Sequence, residues 1–385
     1  MKKGIYCITL SFIAVLTFTA CKNDLDVLAP GEESVSVYGI LNPNAAVQNI
    51  RINKVYLSEG DAITAGQDNS TINYGPGELK VTLQRFMSGS TTPTLTTVGN
   101  TMKKEIVLTE TVVTTASGSF GQEQRIWQTS DKLFAKGEYK LTITNVSSGK
   151  EFTSQTVVVD SVKSYPTGNN PFVYIPNPNP QNAFPTHCNG YVLDSPPGTG
   201  TKKIAYVDYS NTLITTLTKI KFKSVANARL YDVVMRFHYI DTTFTGLGNR
   251  QYVDFNFSTQ KSIELTGDEV MEVSFAANEF YKNLAAEITK KSSVGIKNRT
   301  VHYIEYIITA GNETLNTFLQ VNAPSNSIAQ DKPYYTNING GVGVFASKSS
   351  SAISKELLSD FIDEIADHPS TQPFMFQKTY TFICP

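Results

Sequence analysis

Short stretches of the chain alternate apolar with polar residues, and Gly, Asn and Pro separate one stretch from the next. The alternation is clearest at residues 79–83, 139–143 and 231–239. Successive side chains of a β-strand point to opposite faces, so a period of two gathers the apolar residues on one face. Each stretch therefore predicts a strand with one face in a core, and residues 42–44, which include a proline, predict the first turn between strands.

The strand after that first turn carries an irregularity in its pattern. Val55 and Leu57 fall on the opposite face from Ile52, although all three are apolar. A one-residue slip at Asn53 or Lys54 would return them to one face. The pattern therefore predicts a β-bulge at this point.

Three segments in the second half have helical rather than strand spacing. Residues 278–288 place apolar side chains at intervals of four, and residues 313–321 do so behind a potential cap, although a strand also fits the second segment. Residues 353–366 predict an amphipathic helix that ends before a proline. Its outer face is acidic and carries Asp360, Asp363, Glu364 and Asp367. We interpret this face as solvated rather than as a metal site or an acid/base pair.

Residues 164–203 interrupt the alternation with eight prolines. Proline removes a donor from a strand ladder and restrains the residue before it, so regular pairing is not expected here. Large aromatic residues are uncommon in disordered linkers, yet several occur in this segment. Two interpretations of these aromatic residues fit. They either anchor the crossover onto a core or form a ligand-facing loop, for which the candidates are Tyr165, Phe172, Tyr174 and Phe184.

The patterns together predict a mainly β chain: an immunoglobulin-like or transthyretin-like β-sandwich followed by a second β-rich domain with a few short helices. The predicted boundaries are a signal peptide at 1–20, a tether at 21–33, a sandwich at 34–163, the proline-rich loop or linker at 164–203 and the second domain at 204–385.

The first residues have the pattern of a secretory signal. Lys2 and Lys3 precede an uncharged apolar stretch from residue 5 to residue 18, which is shorter than the roughly 20 residues of a transmembrane helix. Residues 18–20 and Cys21 resemble a bacterial lipobox, which implies lipidation of Cys21 and anchoring in a membrane. The charged residues that follow resemble a surface-export signal of Bacteroidota lipoproteins, which implies an outer-membrane, cell-surface location; a periplasmic-facing lipoprotein and a plain linker stay as alternatives.

Two further cysteines belong to the predicted mature domains. Cys188 and Cys384 would meet in an oxidising compartment if the chain is exported. A disulfide between them and two buried single cysteines both fit the sequence.

Charge and motif content narrow the function classes. Lys plus Arg total 33 against 34 Asp plus Glu, and the charges are scattered, so no nucleic-acid partner is expected. The sequence lacks the motifs of serine hydrolases, zinc proteases and EF-hands, so no catalytic, cofactor-binding or metal-binding residue is assigned and we expect a non-enzymatic protein. Asp232, Arg236 and His238 share one face of a strand, as a polar patch or an ion-paired solvent face.

Residues 333–345 contain a Tyr-Tyr-Thr-Asn-Ile-Asn-Gly-Gly-Val-Gly-Val-Phe run. Physically, it predicts a turn followed by a glycine-interrupted strand, not a dinucleotide-binding loop. The run resembles a C-terminal signature of a family of Bacteroidota lipoproteins of unknown function, and residues 35–57 and 279–284 are also similar to that family.

Members of that family are often encoded beside TonB-dependent outer-membrane receptors. The resemblance thus implies an accessory role in capturing a nutrient such as a peptide, glycan or metal chelate, with such a receptor as partner. A structural or adhesive surface protein is the alternative, and a hydrolase with a non-local active site is a further one.

Overall fold

The computed structural model describes residues 33–55, 68–87, 89–98, 101–114, 123–162, 217–291, 293–323, 334–357 and 359–378. Strands dominate these ranges and the helices are few and short, which confirms the prediction of a mainly β chain. None of the helices in the described ranges is long and apolar enough to cross a bilayer.

The strands of the first half are β1 (Val35–Leu41), β2 (Gln48–Lys54), β3 (Leu79–Phe86), β4 (Pro93–Thr94), β5 (Thr96–Val98), β6 (Thr101–Lys103), β7 (Ile106–Val107), β8 (Thr109–Thr114), β9 (Glu123–Thr129), β10 (Glu138–Asn145) and β11 (Glu151–Val157). The second half adds β12 (Leu217–Lys223), β13 (Leu230–Thr243), β14 (Gly246–Asn256), β15 (Gln260–Lys261), β16 (Val270–Ala276), β17 (Ile296–Gly311) and β18 (Gly341–Glu356). The helices are α1 (Asn69–Ile72), α2 (Ala277–Thr289), α3 (Glu313–Asn322) and α4 (Ser359–Asp367), with a 3-10 turn at Gln372–Phe374.

One nine-stranded sheet runs through both halves of the molecule, in the order β14-β13-β17-β18-β1-β2-β9-β8, with β15 beside β13. The long strand β18 joins the halves. Its first part, Gly341–Ser347, pairs in parallel with β1, and its second part, Lys348–Glu356, pairs antiparallel with β17. A strand from the end of the chain therefore completes the sheet at its beginning, an exchange that the predicted domain boundaries do not include.

The first half is a β-sandwich. Its part of the nine-stranded sheet packs against a second sheet of order β11-β10-β3-β4, with β7 beside β3. The alternating residues of 79–83 and 139–143 are buried between the sheets as predicted, together with Trp127, which is 1% exposed. Phe345 of β18 belongs to the same core, so the exchange of β18 buries apolar surface as well as backbone.

The second core lies on one face of β13, β14 and β17, where α2, α4 and the β12–β16 pair cover it. The five alternating apolar residues of 231–239 all face this core. Val158 packs in the first core and its neighbour Val159 in the second, so the chain passes from one to the other there.

Two of the three predicted helices are confirmed with nearly the predicted bounds. Helix α2 buries Phe280, Leu284 and Ile288, as its spacing predicts. Helix α3 begins at the predicted cap, because the Asn312 side chain accepts a hydrogen bond from the Leu315 amide at 3.0 Å.

The third predicted helix is shorter than expected. Residues 353–356 belong to β18, because their backbone pairs with residues 303–306 of β17, and α4 starts only at Ser359. The long-range ladder thus overrides the local helical spacing at this end. Beyond α4, His368 stacks on Tyr281 with ring centroids 4.0 Å apart, which fixes the helix to the core.

The predicted bulge near Asn53 is wrong. The register between β1 and β2 is unbroken up to the pair Val35 and Lys54, and the strand ends there. Val55 follows the strand, and its amide donates to the Ser34 carbonyl at 3.2 Å in the same register. Its side chain is 42% exposed, so the regular alternation continues and turns Val55 toward solvent. Leu57 lies outside the described residues.

The glycine-rich run at 334–345 is a structural element, as its physical interpretation predicts. The Asn337 side chain accepts from the Phe345 amide at 2.9 Å and donates to the Phe345 carbonyl at 2.7 Å, so it imitates one residue of a neighbouring strand. Ser154 of β11 donates to the Asn337 carbonyl at 2.7 Å. The run therefore ties β11 of one sheet to β18 of the other.

Gly343 is required by this close packing. Its φ is +105°, and a Cβ at this position would stand 2.0 Å from the Val37 carbonyl oxygen of β1. Only glycine can hold both the backbone angle and the parallel pairing.

Candidate functional site

The best candidate for a binding surface is the solvent-facing side of β13, β14 and β17, opposite the second core. Cross-strand pairing sets its side chains in two rows. Arg236 lies between Asp254 and Glu305, and His238 lies between Tyr252 and Tyr303. We call this set the outer polar face: Arg236, His238, Tyr252, Asp254, Tyr303 and Glu305.

The ionic row is held rigidly. Arg236 donates to both carboxylate oxygens of Asp254, from Nε at 2.7 Å and from Nη2 at 2.8 Å. This bidentate geometry is the strongest arrangement of an arginine with a carboxylate. The hydrogen bonds to Asp254 raise the pKa of Arg236, so the guanidinium stays charged. It also lies 4.2 Å above the centre of the Tyr252 ring, a cation–π contact.

The aromatic row consists of rings that contact one another across the strands. His238 stacks on Tyr303 with centroids 4.2 Å apart and planes 24° apart, and Tyr252 lies 6.1 Å from His238 on the other side. Neighbouring strands are themselves about 4.8 Å apart, so the stacked rings stand upright on the sheet. The Tyr252 side of the row is the more open, because this residue is 50% exposed.

Lys291, which follows α2, supports the edge of this face. Its ammonium group donates to the Tyr252 carbonyl oxygen at 2.7 Å and lies over the Tyr239 ring at 5.5 Å. Burial lowers the pKa of Lys291. The contact occupies a backbone acceptor on the outer side of β14, the last strand of the sheet, and so protects that edge.

The two carboxylates of the outer polar face contact other side chains of the same face. Asp254 is bound by Arg236, and the Glu305 carboxylate lies 3.3 Å from His238 Nε2. Both carboxylates are therefore already paired within the face. Within the described ranges no group of three or more His, Cys, Asp or Glu side chains is arranged to hold a metal. The face offers prearranged donors and acceptors to a polar ligand.

The polar candidates from the sequence lie on strand β13 and helix α4. Arg236 and His238 lie on the outer polar face, and Asp232 lies further along the same side, where Thr259 donates to it at 2.7 Å. The patch is thus extensively paired. In the acidic helix face, Asp367 pairs with Lys378 at 2.6 Å.

The remaining candidates fall outside the described residues: Cys21, Cys188, Cys384, Tyr165, Phe172, Tyr174 and Phe184. Sequence reasoning missed four members of the outer polar face. Tyr252, Asp254, Tyr303 and Glu305 become neighbours of Arg236 and His238 only through the register of three strands. The alternation at 231–239 was a usable signal for the central strand alone.

Comparison with known proteins identifies no relationship that assigns a function. No family model and no curated protein matches the chain. Among solved structures, the C-terminal globular domain of oligosaccharyltransferase from Pyrococcus abyssi is similar at 12% identity and a TM-score of 0.21. The match covers 74% of this chain and 50% of that one. A likeness of this size supports no argument about function.

Proposed function

We propose that this chain is a lipid-anchored lipoprotein of the outer membrane, exposed at the cell surface, and that it acts as a non-enzymatic binding component beside a TonB-dependent nutrient transporter. The observation that carries the binding role is the outer polar face, where charged and aromatic groups are fixed in a pattern that requires no ligand to assemble. The anchoring role rests on the signal, the lipobox-like residues and Cys21.

The way the chain enters the fold suits an anchored protein. The Glu33 carboxylate accepts from Asn145 at 2.6 Å and from Ser148 at 2.9 Å, and its carbonyl accepts from Lys150 at 2.7 Å. These contacts fasten the end of the proposed tether to the turn between β10 and β11. A pull on the lipid anchor would be transmitted to the sandwich.

The outer polar face lies far from the point where the proposed tether joins the fold. The tether joins beside Gly340, whose carbonyl accepts from Ser34 at 3.1 Å. The aromatic row lies level with Glu356, the partner of Tyr303 at the other end of β18. Gly340 and Glu356 are about 50 Å apart along β18, at about 3.3 Å per residue.

Acyl labelling and protease treatment of intact cells test the anchoring. We expect a metabolic acyl label on the native protein, no label on Cys21→Ala, and cleavage of the native protein by external protease. Label retained on the variant would refute lipidation at Cys21. A labelled but protected protein would place the binding role on the periplasmic side.

Co-purification tests the binding role. We expect the tagged native protein to retain an outer-membrane receptor, and Tyr252→Ala to weaken that retention about tenfold, as exposed aromatic residues central to an interface commonly do. Tyr38→Ala is the matched control, because Tyr38 is 54% exposed on β1 of the other half. Equal retention by Tyr252→Ala and Tyr38→Ala would exclude the outer polar face as the contact.

A further inference from the structure

Two turns at one end of the nine-stranded sheet each expose an apolar side chain. Phe244, in the turn between β13 and β14, is 78% exposed, and Val294, in the turn before β17, is 91% exposed. Thr243 pairs with Ile296, so the two turns are neighbours in space. Two adjacent apolar tips form a shared feature rather than scattered surface residues.

Neither turn needs an apolar residue for its own geometry. The first is closed by Thr243 Oγ1, which donates to the Gly246 carbonyl at 2.9 Å. The second is closed by the Ile296 amide, which donates to the Ser293 carbonyl at 3.2 Å. Turns of this kind commonly hold Asn, Asp or Gly at their tips. Phe244 and Val294 therefore contribute exposed apolar surface that local folding does not require.

Two cations lie on the same strands as the tips, Arg250 opposite Ile240 and Lys297 next to Ile296. Arg250 of β14 and Lys297 of β17 are exposed, and neither forms an ion pair with another described residue. Asp241, an acid near this end of β13, pairs with the buried Arg299 at 3.0 Å. This end of the sheet therefore combines exposed apolar turn tips with exposed positive charges.

We propose that this distal tip, formed by Phe244, Val294, Arg250 and Lys297, docks on the phosphate-bearing surface of a lipid bilayer. The two apolar side chains enter the boundary between headgroups and acyl chains, and the two cations contact lipid phosphates. Apolar residues near Lys and Arg favour interfacial membrane binding, because burial of apolar area and attraction to anionic lipids add. Two exposed side chains at the tips of neighbouring turns suit a deformable bilayer better than the preformed surface of a folded protein.

The position of the tip is compatible with an anchor at Cys21. Strand β18 runs from Gly341 to Glu356, and β17 continues in the same direction from Tyr303, the partner of Glu356, to Ile296. Together the two paired strands extend over about 70 Å. A tether from Cys21 to Glu33 reaches about 40 Å when extended. The body can thus incline until the tip meets the bilayer that holds the lipid. Docking at the tip does not depend on the proposed lipidation, because the two contacts are at opposite ends of the molecule.

Vesicle co-sedimentation of the mature chain carrying Cys21→Ala tests the proposal. We expect this protein to sediment with phosphatidylglycerol vesicles and much less with phosphatidylcholine vesicles. The double variant Phe244→Ser, Val294→Ser should bind about tenfold more weakly or worse, since burial of one large apolar side chain contributes at least that factor. Arg250→Gln with Lys297→Gln should weaken binding and remove most of its salt dependence.

Val146→Ser is the control, because Val146 is 62% exposed at the opposite end of the molecule, in the turn between β10 and β11. It should bind vesicles as the parent does. Unchanged urea unfolding midpoints for every variant would show that the fold is retained. Absence of sedimentation with phosphatidylglycerol vesicles, or equal losses for Val146→Ser and the tip variant, would overturn the proposal. Receptor retention lost by the tip variant without vesicle binding by the parent would assign the tip to a protein partner instead.

Discussion

Replacing Asn337 by alanine removes the side chain that substitutes for a strand beside β18. Asn337 forms hydrogen bonds of 2.9 and 2.7 Å with the amide and carbonyl of Phe345, and a longer one of 3.3 Å with the Gln155 carbonyl. Each such bond contributes about 0.5–1.5 kcal/mol net, and an orphaned, partly buried amide costs about 1–3 kcal/mol. We therefore expect Asn337→Ala to lower the free energy of unfolding by about 2–4 kcal/mol.

Urea unfolding followed by tryptophan fluorescence measures this loss. Trp127 is the one tryptophan of the chain and is buried in the first core, so its emission reports on the sandwich that Asn337 helps to close. Asn49→Ala is the matched control, since Asn49 is exposed and accepts a single hydrogen bond from Gln128 at 2.7 Å. Its change should stay within about 0.5 kcal/mol.

Asn337→Asp gives a second variant of nearly the same shape. It keeps an acceptor for the Phe345 amide but turns a carboxylate oxygen toward the Phe345 carbonyl, so we expect a loss at least as large as for alanine. The reasoning is refuted if Asn337→Ala and Asn49→Ala unfold at the same urea concentration with the same slope, because the bridge would then contribute nothing measurable.

Three further predictions concern backbone strain and pH. Gly343→Ala should prevent folding or lower stability by more than about 3 kcal/mol, because its Cβ would collide with the adjacent strand, whereas Gly77→Ala, at φ +67° with open space, should cost only about 1 kcal/mol; circular dichroism and urea unfolding compare the two. The hydrogen bond from Arg229 lowers the pKa of Glu313 below 4.5. The stability that ionised Glu313 contributes is therefore present above pH 4.5 and is lost as the pH falls through the lowered folded pKa. Glu313→Gln should make unfolding curves less pH-dependent in that acid range. Burial lowers the pKa of His368 below 6.5, so the unfolded chain takes up this proton first and stability falls as the pH drops from 6.5 toward the folded value; a thermal-unfolding series in which His368→Phe keeps the full dependence would contradict this.

The alternation of residues was sufficient for the parts of the fold that depend on one strand or one helix at a time. Residues 79–83, 139–143 and 231–239 lie in strands with the predicted faces buried, and α2 covers the predicted segment. Burial of one face imposes the period on the sequence directly, so the period can be recovered from it. The first turn, at residues 42–44, also joins β1 and β2 as its composition predicts.

Strand β18 shows where local pattern is insufficient. Residues 353–356 have helical spacing with the segment that follows, yet they extend the strand because β17 offers them a complete ladder. The parallel pairing of Val35 with Gly341 joins residues about three hundred positions apart, and no local signal encodes such a partner. The outer polar face depends on the same kind of information, since Tyr252 and Tyr303 meet His238 only through register.

The order of the residues was enough to establish a mainly β chain with a few short helices, the faces of its clearest strands and the structural nature of the glycine-rich run. Those features follow from which side chains leave water and which backbone angles glycine permits, and both are properties of short segments. Three-dimensional folding alone established the exchange of β18 between the two halves, the outer polar face and the distal tip. These depend on contacts between distant segments, whose choice reflects the packing of whole sheets and not the preference of any one segment.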